Sequence, residues 1–146
     1  MENALTSQDR QDITDSLAQY AHTYDSRDID RFCNLFNSDG VVAYYFEGKL
    51  SSETAQEKRG DIRKIRFKAF EQRGIAQTRH FITNIVLEPQ DNGTVFARSW
   101  FFVTHQYRDE PAPRPVHSGE YRDTFEKTSS GWKILRHEIH IDHNQG

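Results

Sequence analysis

A chain of 146 residues fits one domain spanning residues 1–146, and a globule of that size buries roughly 70% of the surface its unfolded form exposes. Hydrophobic residues make up 35% of the chain, but ten Phe, six Tyr and two Trp concentrate apolar surface in large side chains; this argues against disorder and suits a core that also walls a cavity. The net charge of -3, with basic residues scattered along the sequence, excludes the electrostatic footprint of a nucleic-acid binder and does not favour acidic substrates.

The single Cys33 excludes an intramolecular disulfide and a cysteine-based metal site, and within FCNLF it reads as a small buried hydrophobe. No apolar run approaches the ~20 residues needed to span a bilayer, and MENALTSQDR has no signal-peptide core, so the expectation is a cytoplasmic protein with no membrane partner.

Thr6 and Ser7 are N-cap candidates for a first helix over residues 6–22, where Ile13, Leu17 and Tyr20 recur at helical spacing and Asp9 and Asp12 favour the positive end of the helix dipole. After the connector TYDSR, a second helix over residues 28–36 sets Ile29, Phe32, Cys33 and Phe36 on one side, and Ser38-Asp39-Gly40 stops it. VVAYYFEG (41–48) is β-branched and aromatic and predicts a strand, whereas KLSSETAQEKRG (49–60) reads as a polar loop. Asp61 is placed to cap a third helix to about Arg73 with Ile62, Ile65 and Ala69 as its buried side. Strands are predicted over residues 79–88, 94–107, 116–127 and 131–142, with turns at Asp91-Asn92-Gly93 and Ser129-Ser130-Gly131 and a Pro-rich connector at 110–115. Helices followed by a run of antiparallel strands predict an α+β fold, the helices packed on one face of a curved sheet.

The run RHFITNIVLE (79–88) opens with a histidine, which in a half-buried strand needs a partner for each ring nitrogen. Strand alternation puts His80 with Ile82 and Asn84 on one face, leaving Phe81, Thr83, Ile85 and Leu87 on a more apolar opposite face. In the next strand His105 shares a side with Ser99, Phe101 and Val103, and in the third Ser118 goes with Glu120 and Arg122, with His117 outward. Aligned, the three strands present polar groups among apolar ones, the usual lining of a small-molecule pocket.

Several stretches carry a resemblance: SLAQYAHTYDSRDIDRF (16–32), Tyr44 twenty residues after Tyr24, TRHFIT around His80, VTHQYR around His105, and HSGEY (117–121). Together they resemble scytalone dehydratase, within the SnoaL-like and NTF2-like superfamily, over roughly residues 8–142. The resemblance implies a cone-shaped α+β barrel with about three helices against a mainly antiparallel sheet, and a pocket working by acid–base chemistry with no cofactor and no metal. Carried over, it implies that Asp25 orients and charge-stabilises His80, that His80 and His105 handle the protons of an elimination, that Tyr24 and Tyr44 polarise a substrate carbonyl, and that Ser118 hydrogen-bonds within the network. Glu120, Phe101, Val103, Ile82 and Asn84 complete the expected substrate-binding set. The resemblance also implies a homodimer or homotrimer, assembled through the apolar opposite face of the sheet.

Two departures stand out. Glu120 occupies the place of a substrate-binding asparagine in the family, and the sequence stops at Gly146, short of a C-terminal segment that covers the family's pocket mouth. Alternative readings are a SnoaL-type cyclase, for whose last-strand carboxylate Glu138 is an approximate match, and a non-catalytic NTF2-like ligand-binding or subunit protein such as a ring-hydroxylating dioxygenase small subunit. Three histidines spaced three apart, His137, His140 and His143, do not form a metal site if they lie in a strand, because His137 and His140 then point to opposite faces.

Overall fold

The computed structural model describes residues 4–143, apart from the side chains of residues 56 and 57. Helix α1 (Ser7–Asp25) starts at a capping box: Thr6 Oγ1 accepts from the Asp9 N–H, and the Thr6 N–H donates to Asp9 Oδ2. Asp9 also accepts from Trp132 Nε1, which fastens the helix start to the last strand. Ile13, Leu17, Tyr20 and Tyr24 are buried along one stripe of α1. The short α2 (Ile29–Asn34) buries Phe32, and the chain enters β1 (Phe36–Phe46) directly, five residues earlier than alternation alone suggests.

Residues 49–60 are not a loop. They form an edge strand, β2 (Lys49–Ala55), and the first turn of α3 (Gln56–Gln72), which begins at Ala55 with no side-chain cap rather than at Asp61. The polar composition misleads because β2 pairs with β1 alone and is exposed along nearly its whole length, so no apolar face is demanded of it. Of the apolar series expected on the inward side of α3, Ile62 and Ala69 are half-buried and border the interior, but Ile65 is 69% exposed, and the buried side chains are Arg59, Arg63, Phe67 and Phe70.

Strands β3 (Ile75–Pro89), β4 (Val95–Tyr107), β5 (Arg114–Thr128) and β6 (Gly131–Ile141) complete a six-stranded sheet of order β2-β1-β6-β5-β4-β3. All neighbours are antiparallel except β1 and β6, which run parallel. Register shifts in several ladders mark bulges, which bend and coil a sheet. The curved sheet does not close, and the three helices cover its inner face, giving the cone-like α+β, NTF2-like architecture. Ile13, Leu17, Phe36, Ile75, Phe125 and Ile134 are among the most deeply buried residues of the core. At Gly119 a Cβ would sit 2.0 Å from the His140 carbonyl oxygen and 2.8 Å from the Phe101 ring, so only glycine allows β5 and β6 to approach there. Among the described residues no helix is long and apolar enough to cross a membrane.

Candidate active site

Asp25 is the last residue of α1, where the helix dipole disfavours a carboxylate, yet its side chain is only 8% exposed. Three donors offset that cost. Thr78 Oγ1 donates to Oδ1 at 2.8 Å, the His80 backbone N–H donates to Oδ2 at 2.7 Å, and His80 Nδ1 lies 2.7 Å from Oδ1. The backbone around Asp25 is tied to the same strand. The chain turns off α1 at Arg27, whose φ of 62° ends the helix, and Arg27 Nη2 donates to the Ile75 carbonyl while Gln77 Nε2 donates to the Asp25 carbonyl. The Asp25 bond fixes the His80 tautomer with Nδ1 protonated and leaves Nε2 as the nitrogen available to the interior.

That interior is a cavity of about 390 Å³ between α1, α3 and the inner face of the sheet, with His80, His105, Tyr24, Tyr44, Phe101 and Val103 all in its wall. The Tyr24 ring lies 4.3 Å from the His80 ring, centroid to centroid. Burial raises the Tyr24 phenol above its ordinary value, with Arg63 pulling the other way, so it stays a neutral donor at physiological pH. His105 packs edge-on to Phe70 at 5.2 Å. Burial pushes it down to about 4, with His117, Arg73 and His80 adding to the effect and Asp25 opposing it, so its imidazole is neutral at neutral pH.

The structure separates the remaining residues expected at the site. Ser118 stands opposite Phe102 and Glu120 opposite Trp100, which puts both on the outer face of the sheet, away from His105. There Ser118 donates to Asp142 and Glu120 pairs with Arg122 at 2.6 Å. A larger open depression of about 1090 Å³ lies over this face, out of reach of the Asp25–His80 pair. The residue that does enter the cavity from this end of β5 is His117, opposite Val103, and not outward as alternation suggested. Sequence gives alternation within a strand but not which set of a neighbouring strand shares its face, and here the register falls one residue from the expected one.

Asn84 also leaves the face of His80. The β3–β4 ladder shifts between Thr83 and Val86, Asn84 takes φ 54°, and Ile85 and Leu87 return to the core in its stead. Ile82 packs against the core rather than lining the cavity. Glu138 lies on the outer side, bonded to Arg136 at 2.7 Å and to His140 at 2.9 Å. His140 stacks on Tyr45 while His137 points inward, as strand alternation requires. Among the described residues no three His, Cys, Asp or Glu side chains are grouped as a metal site needs. Burial pushes the half-buried Cys33 thiol up, away from reactivity.

Two features went unread in the sequence. Asp123 and His137 form a second carboxylate–imidazole pair, bonded through Nδ1 and wholly buried beneath the Tyr20 and Tyr121 rings. The other is the basic face of α3. Arg59, Arg63 and Arg66 recur four and three residues apart on one side of the helix, a spacing visible in the sequence and masked by the competing Ile62–Ile65–Ala69 series. A few of the basic residues are therefore gathered at the interior spaces, while the others are scattered as the sequence suggests.

The architecture is shared with solved structures. ActVI-ORFA from Streptomyces coelicolor superposes with a TM-score of 0.75 at 18% identity, covering 92% of this chain and 98% of that one. A protein from Novosphingobium aromaticivorans described as a scytalone dehydratase gives 0.72 at 20% identity over 90% of this chain and 83% of that one. Another from the same organism, described as the beta subunit of an aromatic-ring-hydroxylating dioxygenase, gives 0.76 at 18% identity, covering 92% and 90% of the two chains. No curated protein matches the sequence. The family model described as a SnoaL-like domain matches residues 6–138, a span that takes in all three helices and runs from the cap of α1 into β6, and the chain therefore belongs to the SnoaL-like domain family.

Proposed function

We propose that the protein is a lyase of the dehydratase type acting on a small cyclic or aromatic hydroxy-ketone by acid–base chemistry that needs no cofactor. The observation that carries this is the Asp25 carboxylate holding both the ring Nδ1 and the backbone N–H of His80 at 2.7 Å, with the imidazole in the wall of the interior cavity. His80 Nε2 removes a proton from the carbon next to the substrate carbonyl, and the C–H electron pair becomes the double bond of an enolate. Asp25 stabilises the imidazolium that forms. Tyr24 and Tyr44 donate hydrogen bonds to the enolate oxygen from fixed positions in a site sheltered from bulk water. The enolate re-forms the carbonyl and expels the β-hydroxyl, which takes the proton from Nε2 and leaves as water, returning His80 to its starting state. His105, neutral at physiological pH, orients the leaving hydroxyl as a hydrogen-bond partner. Glu138 sits outside the cavity, so the geometry favours elimination over a cyclase built on that carboxylate.

Turnover of a panel of hydroxylated cyclic and aromatic ketones tests the reading. Asp25→Asn and His80→Ala each lose about 100-fold or more with the fold intact, since general base catalysis is worth about 10²- to 10⁴-fold; full activity in both variants rules out the assigned pair. We further propose that a second copy of this chain covers the outer sheet face, where Trp100 is 58% exposed beside Phe81 and Phe102.

A further inference from the structure

Beside the cavity at His80 lies a side chamber of about 210 Å³, and the two spaces share Tyr20, Tyr44 and Arg66 in their walls. One wall of the side chamber is α3, which presents Arg59, Arg63 and Arg66 with Ile62 among them, and Arg73 at the end of α3 lines the main cavity. Among the described residues no aspartate or glutamate lines either space.

Arginines this deeply placed ordinarily have a carboxylate or a full set of carbonyl acceptors. Arg59 is 2% exposed; it donates from Nη2 to the Gly40 carbonyl at 2.7 Å and lies 3.8 Å from the Phe36 ring centroid, while its Nε and Nη1 meet no acceptor among the described residues. Arg63 is 6% exposed and stands 5.0 Å over the Tyr24 ring; burial presses its charge down, and the phenols of Tyr24, Tyr44 and Tyr20, with a hydrogen bond to Tyr44, oppose that. Burial presses on Arg59 hard enough to bring it down to about 10, so it still carries its charge at physiological pH. The side chamber thus holds concentrated positive charge with no carboxylate in its lining among the described residues, Asp25 being taken up by His80 and Thr78, and Arg59 and Arg63 are buried where water screens them poorly. A neutral substrate would leave that charge uncompensated, whereas an oxyanion placed among planar guanidinium groups would accept charge-assisted, paired hydrogen bonds.

We propose that the side chamber binds the oxyanion of an aromatic acid, whose ring system then lies in the main cavity against His80. This rests on the elimination reading for which end of the substrate reacts, and adds that the substrate is an anion. The net charge of the whole chain conceals it, because Arg59 and Arg63 are buried at the side chamber while most of the other charged groups of both signs lie on the surface.

Titration calorimetry of the full chain with 2-naphthoate, 2-naphthyl phosphate and neutral 2-naphthamide tests it without any need for turnover. At least one of the two anions binds about tenfold or more tightly than the amide at low salt, and which of them does so assigns a carboxylate or a phosphate head group. Arg63→Gln and Arg66→Gln shrink that preference to threefold or less and leave amide affinity unchanged, whereas Asp25→Asn and His80→Gln keep it. Arg66 is exposed, so its variant folds whatever Arg63→Gln does, and thermal melting verifies both. Equal affinity for amide and acids overturns the proposal, as does an anion preference that survives both arginine substitutions. Anion preference in a protein that turns over no hydroxy-ketone leaves this inference standing and removes the elimination reading; turnover of neutral ketones with no anion preference does the reverse.

Discussion

Asp25→Asn is a change of one atom, and the structure says how it divides between folding and chemistry. Oδ1 receives the Thr78 hydroxyl and the His80 ring, while Oδ2 receives the His80 backbone N–H. If the asparagine keeps its oxygen at Oδ1, its NH₂ faces a backbone donor 2.7 Å away that β3 holds in place, which orphans a buried N–H at a cost of about 1–3 kcal/mol. If it turns over, the oxygen satisfies the backbone, the Thr78 hydroxyl rotates to a different acceptor, and the NH₂ meets His80 Nδ1. The ring relieves that contact by moving its proton to Nε2. This second arrangement breaks little in the fold, so melting shifts by less than the first arrangement would demand, but it places a proton on the nitrogen that should act as base. Turnover then falls by about 10²- to 10⁴-fold. Long-range ¹H–¹⁵N spectra of the histidine rings read the tautomer with no substrate, and the signal missing in His80→Gln identifies the residue. The wild type shows His80 protonated at Nδ1 and Asp25→Asn shows it at Nε2. An unchanged His80 signal in the variant would falsify the argument.

Other outcomes follow from the same geometry. His105 is held neutral by its surroundings, and its folded value of about 4 lies below the ordinary 6.5, so the unfolded chain takes up the extra proton first. Its contribution to stability is therefore complete above pH 6.5 and drains away as pH falls toward 4, by at most ~3 kcal/mol and by less where cavity water screens the ring. Urea melts of the wild type steepen in that window relative to His105→Phe, and parallel curves would sink the assignment. Gly119→Ala forces a methyl onto the His140 carbonyl and the Phe101 ring and costs about 1–3 kcal/mol or more in urea unfolding. Trp100→Glu removes the largest exposed ring of the outer face and inserts a charge; light scattering then gives the monomer mass where the wild type gives a multiple of it, and a wild type that is already monomeric refutes the pairing. Removing one member of the buried second pair, as in His137→Phe, leaves the Asp123 carboxylate without its partner and lowers stability by roughly 3–5 kcal/mol, while Asp123→Leu with His137→Phe recovers most of it.

How much was legible divides along physical lines. Features written in a single strand or helix could be read: the N-cap candidate Thr6, the apolar stripe of α1, the strand periods of β3 to β6, and the alternation that aligns His105 with Phe101 and Val103. Asp25 meeting His80 is a contact between elements, and it was reached through resemblance, although a carboxylate at the wrong end of a helix dipole is itself a mark of a group with compensating partners elsewhere. Relations between neighbouring strands were not legible. Ser118 and His117 exchange faces because register is fixed by the whole ladder, and Asn84 is displaced by a bulge that no local pattern announces.

The misreading of α3 has a different origin, and it bears on the chemistry. Sorting a helix by hydropathy assumes that what faces inward faces other protein, and by that rule Ile65 belongs inside with Ile62 and Ala69, and Arg59 and Arg63 belong outside. The rule fails when the inward face borders a cavity, because the material it meets there is whatever the cavity holds. Exposed Ile65 costs little, since a single apolar side chain on a surface is ordinary. Buried Arg59 and Arg63 cost a great deal unless something compensates them, and phenol rings, one backbone carbonyl and a few cation–π contacts compensate only in part. The same helix would be more stable with leucine or methionine at those two positions, packed against Phe32 and Phe36. Thermal melting of Arg59→Met with Arg63→Leu tests this: a raised midpoint, together with loss of the anion preference seen in calorimetry, means that these charges are kept at the expense of folding for the sake of what enters the cavity, whereas a lowered midpoint means that the fold itself depends on them.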